Sequence, residues 1–245
     1  MGILAVSIGN ANFRVAAGSR DAIEKQAVIF ANEGFAAVDQ IEARLGIQWE
    51  QIEGSIIASV VPAHTDVVAA ALEKKIGQPA QRIDACNCGK LRTEAYEGLL
   101  GDDRLVCCAR ALQKYKEPFV IVDFGWAVTI NVVSNNGEFL GGAIMPGLTE
   151  SLDALAKSTA LLPRVGWIGE VKVIGKNTQK EMQSGAVIGL ACAVEGFLQR
   201  IEEELAEKPS VIITGGHSPV ILPHCRFKYD YEPDLLMEGL LSLYK

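Results

Sequence analysis

The stretch that most constrains this chain runs from Phe119 to Gly147, FVIVDFGWAVTINVVSNNGEFLGGAIMPG. FVIVDF is a short, continuous apolar run that delivers one acid, Asp123, to the end of a buried strand, and Gly125 directly after it permits a tight turn. AVTINVV then alternates as a second strand, and SNNGE carries the Asn-Gly pair that suits a two-residue hairpin with positive φ angles. FLGGAI returns as a third strand. The segment therefore predicts a β-meander with a carboxylate and a glycine at one tip.

A shorter echo opens the chain. ILAVSIGNANFRVAAG reads as an apolar strand ending in Ser7, a turn at Gly9 and Asn10, and a strand from Phe13 to Ala16. Strand, polar residue, glycine turn and strand occur twice, which suggests two related halves facing each other across a cleft. Two unrelated hairpins would give the same local pattern.

The remaining elements alternate. EKQAVIF is a third strand, Glu33 to Leu45 has helical spacing, and SIIASVVPA reads as a central parallel strand buried on both faces. Thr65 to Ile76 is helical and RIDAC a short strand, so the first half reads β-β-β-α-β-α-β, an α/β unit. Residues 85–100 have no period and read as a loop, the kind of segment that often carries binding residues. Gly101-Asp102-Asp103-Arg104 opens the next helix; two acids in a first turn are explained by the helix dipole, although the acid pair and arginine exceed what a cap needs. After the meander, SLDALAKSTALL is a helix closed by Pro163, and the longest helix spans about Thr178 to Leu205. PSVIIT is a last strand before Gly215-Gly216, where backbone can approach a flat ligand or simply turn, and YEPDLLMEGLLSLYK is a helix expected to finish the second half. The halves are expected at 1–116 and 117–245.

Composition excludes some partners. The 245 residues carry a formal net charge of −7 with no cluster of Lys and Arg, which argues against a nucleic-acid ligand because phosphate affinity needs concentrated positive charge. No apolar run approaches a bilayer span and the N-terminus lacks a basic leader, so the expectation is a cytoplasmic protein without membrane contact. None of the six cysteines has zinc-site spacing, and Cys107, Cys108 and Cys192 are expected as buried free thiols. His64, His217 and His224 show no ligand spacing.

Taken together, VSIGNANFR, IIASVVP, GDDR, VDFGWAVT, GGAIMPGL with SLDAL, LPRV, IGKNTQKEMQSG, ITGG and DLLMEGLLSLY stand in the order of a known family, and the chain resembles type III pantothenate kinase over nearly its whole length. The resemblance implies an actin-like, hexokinase-like ATPase fold, two related α/β halves flanking a central cleft, in a homodimer. It implies transfer of the γ-phosphoryl group of ATP to pantothenate, the first step towards coenzyme A, with Mg2+ and a monovalent cation, K+ or NH4+. By the same resemblance Asp103 is the catalytic base, and Arg104 holds the substrate carboxylate beside Gly101. Tyr96 lines the pantothenate pocket and Thr178 reaches it from the partner subunit. Asp123 is associated with the cation. Ser7, Gly9, Asn10 and Ala11 form the first phosphate motif, Gly125 and Trp126 belong to the second, and Gly215 and Gly216 match the adenosine motif.

Three positions depart from the family pattern. Its first phosphate motif is Asp-x-Gly-Asn-Thr, where this chain has Ser7 and Ala11, and its second is Asp-x-Gly-Thr-Ala, where Trp126 replaces the threonine. A carboxylate and two hydroxyls are lost, and the Trp126 ring is expected to project towards the phosphates unless the turn swings it aside. Removing one transition-state donor costs roughly 10²- to 10³-fold in kcat. Two readings follow: an ATP-dependent pantothenate kinase with an altered nucleotide site, or a catalytically degenerate relative acting as a binding or regulatory protein.

Overall fold

The computed structural model describes residues 2–10, 12–30, 37–116, 118–167 and 169–245. The chain divides into two compact units, residues 1–115 with 234–245, and residues 116–233.

The first unit is built on β1 (Gly2–Ile8), β2 (Asn12–Gly18), β3 (Ile23–Phe30), β4 (Ile52–Ser59) and β5 (Gln81–Arg82), in the sheet order β3-β2-β1-β4-β5. β1 pairs antiparallel with β2 and parallel with β4, while β2–β3 is antiparallel and β4–β5 parallel. Both faces of β4 are filled, as its apolar run requires, and Ile56 and Ile57 are fully buried side by side. Helices α1 (Ala37–Leu45), α2 (Pro62–Ile76) and α3 (Asp102–Lys114) complete the order expected from sequence. Pro62 opens α2 at its first turn, where a missing N–H leaves no bond unmade. The part of the expected helix at residues 33–36 lies outside the described residues.

The second unit repeats this plan. β6 (Phe119–Phe124), β7 (Ala127–Val133) and β8 (Phe139–Pro146) form the meander, and β9 (Ser210–Thr214) and β10 (Asp230–Tyr231) add parallel strands to give β8-β7-β6-β9-β10. The two sheets therefore share one sequence of pairings: antiparallel, antiparallel, parallel, parallel. Helices α4 (Leu148–Ser158), α5 (Thr178–Leu205) and the short α6 (Ser218–Ile221) belong to this unit. By length and composition alone α5 is long and apolar enough to cross a membrane, but Met182, Val187, Ala191 and Val194 lie in the core packed on β6 and β7.

Three expectations change. The last helix, α7 (Leu235–Leu243), does not finish the second half but packs on α3 and β1 of the first unit. The Asn135-Asn136-Gly137 hairpin is not a two-residue turn: Ser134 and Glu138 close it, and only Gly137 takes a positive φ, of 76°. Gly137 N–H donates to Ser134 O at 3.1 Å, so a turn followed by a glycine bulge replaces the mirror-image turn. Cys192 is exposed on α5, while Cys107 and Cys108 are buried; all six thiols are free.

Candidate active site

In the first unit, β1 carries Ser7 into the interior, and its turn closes where Gly9 N–H donates to Asn12 O at 3.0 Å. Asn10 is exposed on this turn, and Ala11 lies outside the described residues. α3 is brought to the same end of the sheet by Asp102, whose Oδ2 accepts the Ser59 N–H at 2.9 Å; Ser59 is the register partner of Ile8. A one-residue step along the helix then presents Asp103. Its Oδ1 accepts the Arg104 N–H at 2.8 Å and fills the space beside Gly101, where a Cβ would stand only 2.8 Å from that oxygen. Burial pushes the Asp103 carboxyl above the usual carboxylate range, opposed by that N–H and by the Arg104 charge. Burial raises Asp102 as well, against the Ser59 bond. The Arg104 guanidinium carbon lies 5.9 Å from the centre of the Tyr96 ring, so the loop at 85–100 places its aromatic residue on the arginine of the helix. Asp103, Arg104, Gly101 and Tyr96 thus form one cluster, at the sheet end that holds Ser7 and Gly9.

In the second unit, Asp123, next to last in β6, lies between Thr129 of β7 and Thr214 of β9. Gly215 has φ of 101°, and a Cβ there would fall 2.3 Å from Asp123 Oδ1 and 2.5 Å from the Phe124 backbone. The backbone at 215 packs this closely on the buried Asp123 Oδ1 because residue 215 has no side chain. Gly125 borders the same oxygen, at 3.1 Å from its Cβ position, whereas Gly216 faces open space. Trp126 follows with 55% of its surface exposed, and its carbonyl packs on Gly147, whose Cβ position lies 2.0 Å from Trp126 O and 2.7 Å from both Gly125 O and Glu150 Oε2. Glu150, in the first turn of α4, has that Oε2 buried without a hydrogen-bond partner, and burial raises its carboxyl against its own N–H and the His217 charge. Asp123, Gly125, Trp126, Gly215 and Gly216 are therefore gathered at one end of the sheet. Thr178 is not among them: it stands exposed at the first turn of α5, which Asn177 caps by accepting the Lys180 N–H.

Sequence reasoning missed Gly147, Glu150 and His217 here. The signal for His217 was its place directly after the glycine pair; for Glu150 it was an acid in a first helical turn beside a Pro-Gly step.

Two α/β units with matching sheets define an actin-like, hexokinase-like ATPase fold. The fold is shared with the activator of 2-hydroxyisocaproyl-CoA dehydratase from Clostridium difficile, solved with bound ADPNP, at a TM-score of 0.57, 12% identity and coverage of 99% of this chain and 92% of that one. It is shared also with the ethanolamine utilization protein EutJ from Carboxydothermus hydrogenoformans, at a TM-score of 0.58, 14% identity and coverage of 98% and 89%. Within that fold the family is specific. The type III pantothenate kinase family model matches residues 3–200, and the type III pantothenate kinase of Moorella thermoacetica is 34% identical over 252 residues, 99% of this chain and 98% of its own. The chain belongs to the type III pantothenate kinase family. The binding-protein alternative is not favoured by these matches.

Proposed function

We propose that the protein transfers the γ-phosphoryl group of ATP to the hydroxyl of pantothenate. The observation that carries this reading, beside family membership, is Asp103. A carboxyl made more basic by burial, next to a guanidinium able to hold an acid substrate, is suited to take a proton from an alcohol. In this reading Asp103 removes the hydroxyl proton, the oxygen attacks the γ-phosphorus, and ADP leaves with the bridging oxygen. Arg104 and Tyr96 orient the acceptor through its carboxylate and carbon chain, with Gly101 leaving room for Asp103. Phosphoryl transfer depends on position and charge more than on covalent chemistry, so this placement is the main contribution the residues make.

On the nucleotide side, the family pattern assigns Gly9 and Asn10 to the first phosphate motif, Gly125 to the second, and Gly215 and Gly216 to the adenosine motif. Ser7, Ala11 and Trp126 supply neither the carboxylate nor the hydroxyls of the family pattern. A divalent ion is assigned to Asp123, the acid of the second glycine turn, whose Oδ1 is buried between Gly215 and Gly125. Among the described residues no three acidic, histidine or cysteine side chains cluster, so an ion would be shared between Asp123 and the phosphates, a common arrangement for Mg2+. When bound it neutralises charge on the transferring group. A monovalent cation, K+ or NH4+, is assigned to the same acid. The reading includes a cytoplasmic homodimer in which Thr178 serves the partner's substrate site, and a small-molecule substrate in place of nucleic acid or membrane, in keeping with the net charge of −7.

The test is transfer of labelled phosphate from ATP to pantothenate by the native protein and by Asp103→Asn. We expect turnover in the first and a loss of about 10²- to 10⁴-fold in the second. Absence of transfer by the native protein, or an undiminished rate in the variant, overturns the reading.

A further inference from the structure

His217 makes two bonds to the turn that follows Asp123. Its backbone N–H donates to Phe124 O at 2.9 Å, and its Nδ1 lies 3.1 Å from Gly125 O. A carbonyl only accepts, so Nδ1 carries the proton and donates. The two acceptors are consecutive peptide carbonyls. In a planar trans peptide the C=O and the following N–H point in opposite directions. Holding the Phe124 and Gly125 carbonyls towards His217 therefore sends the Gly125 and Trp126 N–H groups away from it, side by side. Successive N–H groups aimed out of a turn make a concavity that takes an anion. Trp126 brings no hydroxyl to this turn, so these two N–H groups are what it offers a phosphate. The imidazole is itself held in place: the Trp167 ring meets it edge-on, with centroids 5.9 Å apart and planes at 74°.

We propose that His217 is the positioning residue of this turn, fixing the Gly125 and Trp126 N–H groups in the direction that receives a nucleotide phosphate; the inference rests on the ATP-dependent reading above. It assigns the grip on phosphate to backbone groups and their orientation to the residue after the glycine pair.

The experiment compares Mg-ATP and AMP binding by calorimetry in the native protein, His217→Phe and His217→Asn. Phenylalanine keeps a ring against Trp167 but cannot donate, and asparagine places an amide N–H near the Nδ1 position. We expect His217→Phe to weaken ATP about tenfold while AMP changes less than about twofold, and His217→Asn to restore ATP to within about threefold; tenfold corresponds to about 1.4 kcal/mol. An unchanged ATP affinity in His217→Phe, a parallel loss of ATP and AMP, or no rescue by His217→Asn overturns the proposal, as does a native protein that binds no nucleotide. A native protein that binds ATP yet phosphorylates no pantothenate defeats the functional reading, and the ATP-to-AMP ratio still decides the role of His217. Should His217→Phe not fold, the backbone amide resonances of Gly125 and Trp126 in the native protein decide: they should shift with ATP and not with AMP, and the reverse overturns the assignment.

Discussion

Adjacent acids at the start of α3 divide two tasks that a cap alone would merge. Asp102 accepts the Ser59 N–H and ties the helix to the end of β4, whereas Asp103 accepts the N–H of its neighbour Arg104 and keeps its carboxyl beside Gly101. The division has a cost that pH exposes. Burial raises the Asp103 pKa in the folded state, so the folded protein binds its proton up to a higher pH than the unfolded chain does. Stability then falls as pH rises from the ordinary carboxylate value, about 4, through the raised folded value, because the native state binds more protons over that window. Asp103→Asn has no charge to bury. Its unfolding free energy should gain on that of the native protein as pH rises from about 4 to 8, with the two curves running parallel at lower pH. Denaturant melts across that range measure this, and a native protein that gains on the variant with rising pH would show that burial does not govern Asp103. The same substitution removes the proposed base, so stability and turnover should move in opposite directions.

At the scale of elements, the two glycine turns show where sequence pattern is sufficient and where it stops. The strands, the bounds of α5 and the matched hairpins were legible because each rests on local periodicity: Thr178–Leu205 is one unbroken helix with Asn177 as its cap. The residues of GDDR alone read as the capped opening of α3, and the site roles of Asp103, Arg104 and Tyr96 came only from the resemblance, since the loop that carries Tyr96 has no period. The hairpin at Asn135-Asn136-Gly137 was misread because the register, offset at Val132/Val133, pairs Ser134 with Glu138 and leaves three residues in the loop, and register is set by pairing rather than by the turn dipeptide alone. Gly215-Gly216 looked like one motif of equal members, and the structure makes them unequal. At 215 an alanine meets both a left-handed φ of 101° and the Phe124 backbone at 2.5 Å; at 216 nothing lies within 4 Å of the Cβ position. Gly215→Ala should therefore destabilise the protein by about 2 kcal/mol or more, from backbone strain plus overlap, and weaken nucleotide binding. Gly216→Ala should stay within about 0.5 kcal/mol of the native protein. Urea unfolding of the pair checks this, and equal losses at both positions would mean the turn is free to rearrange.

For the molecule as a whole, the path of the chain matters more than the division into halves. The first unit is closed by residues 234–245, which return after the entire second unit has been formed by the continuous stretch 116–233. Compositional reading places α7 with the segment that precedes it, because nothing local distinguishes an amphipathic helix that packs on a near neighbour from one that packs on α3. The tertiary contacts do: Gly239 lets α7 approach Val106, whose Cγ1 would lie 2.7 Å from a Cβ there, and Arg110 holds Glu238 at 3.0 Å. Leu235, Leu236, Met237, Leu240, Leu241 and Leu243 are all buried by this docking. Full burial of such a side chain contributes about 1.5–3 kcal/mol, so the six together contribute roughly 9–18 kcal/mol as an upper figure. Half of that already approaches the 5–15 kcal/mol by which a whole domain is stable. A chain ending at residue 233 should therefore lose the first unit while keeping the second, which has its own core of β6, β7, β9 and α5 residues. Limited proteolysis read by mass spectrometry should leave a protected fragment near 116–233 and digest 1–115. Equal protection of both segments would mean that α7 covers the first unit without sustaining it, and digestion of both would mean that the second unit draws its stability from the first.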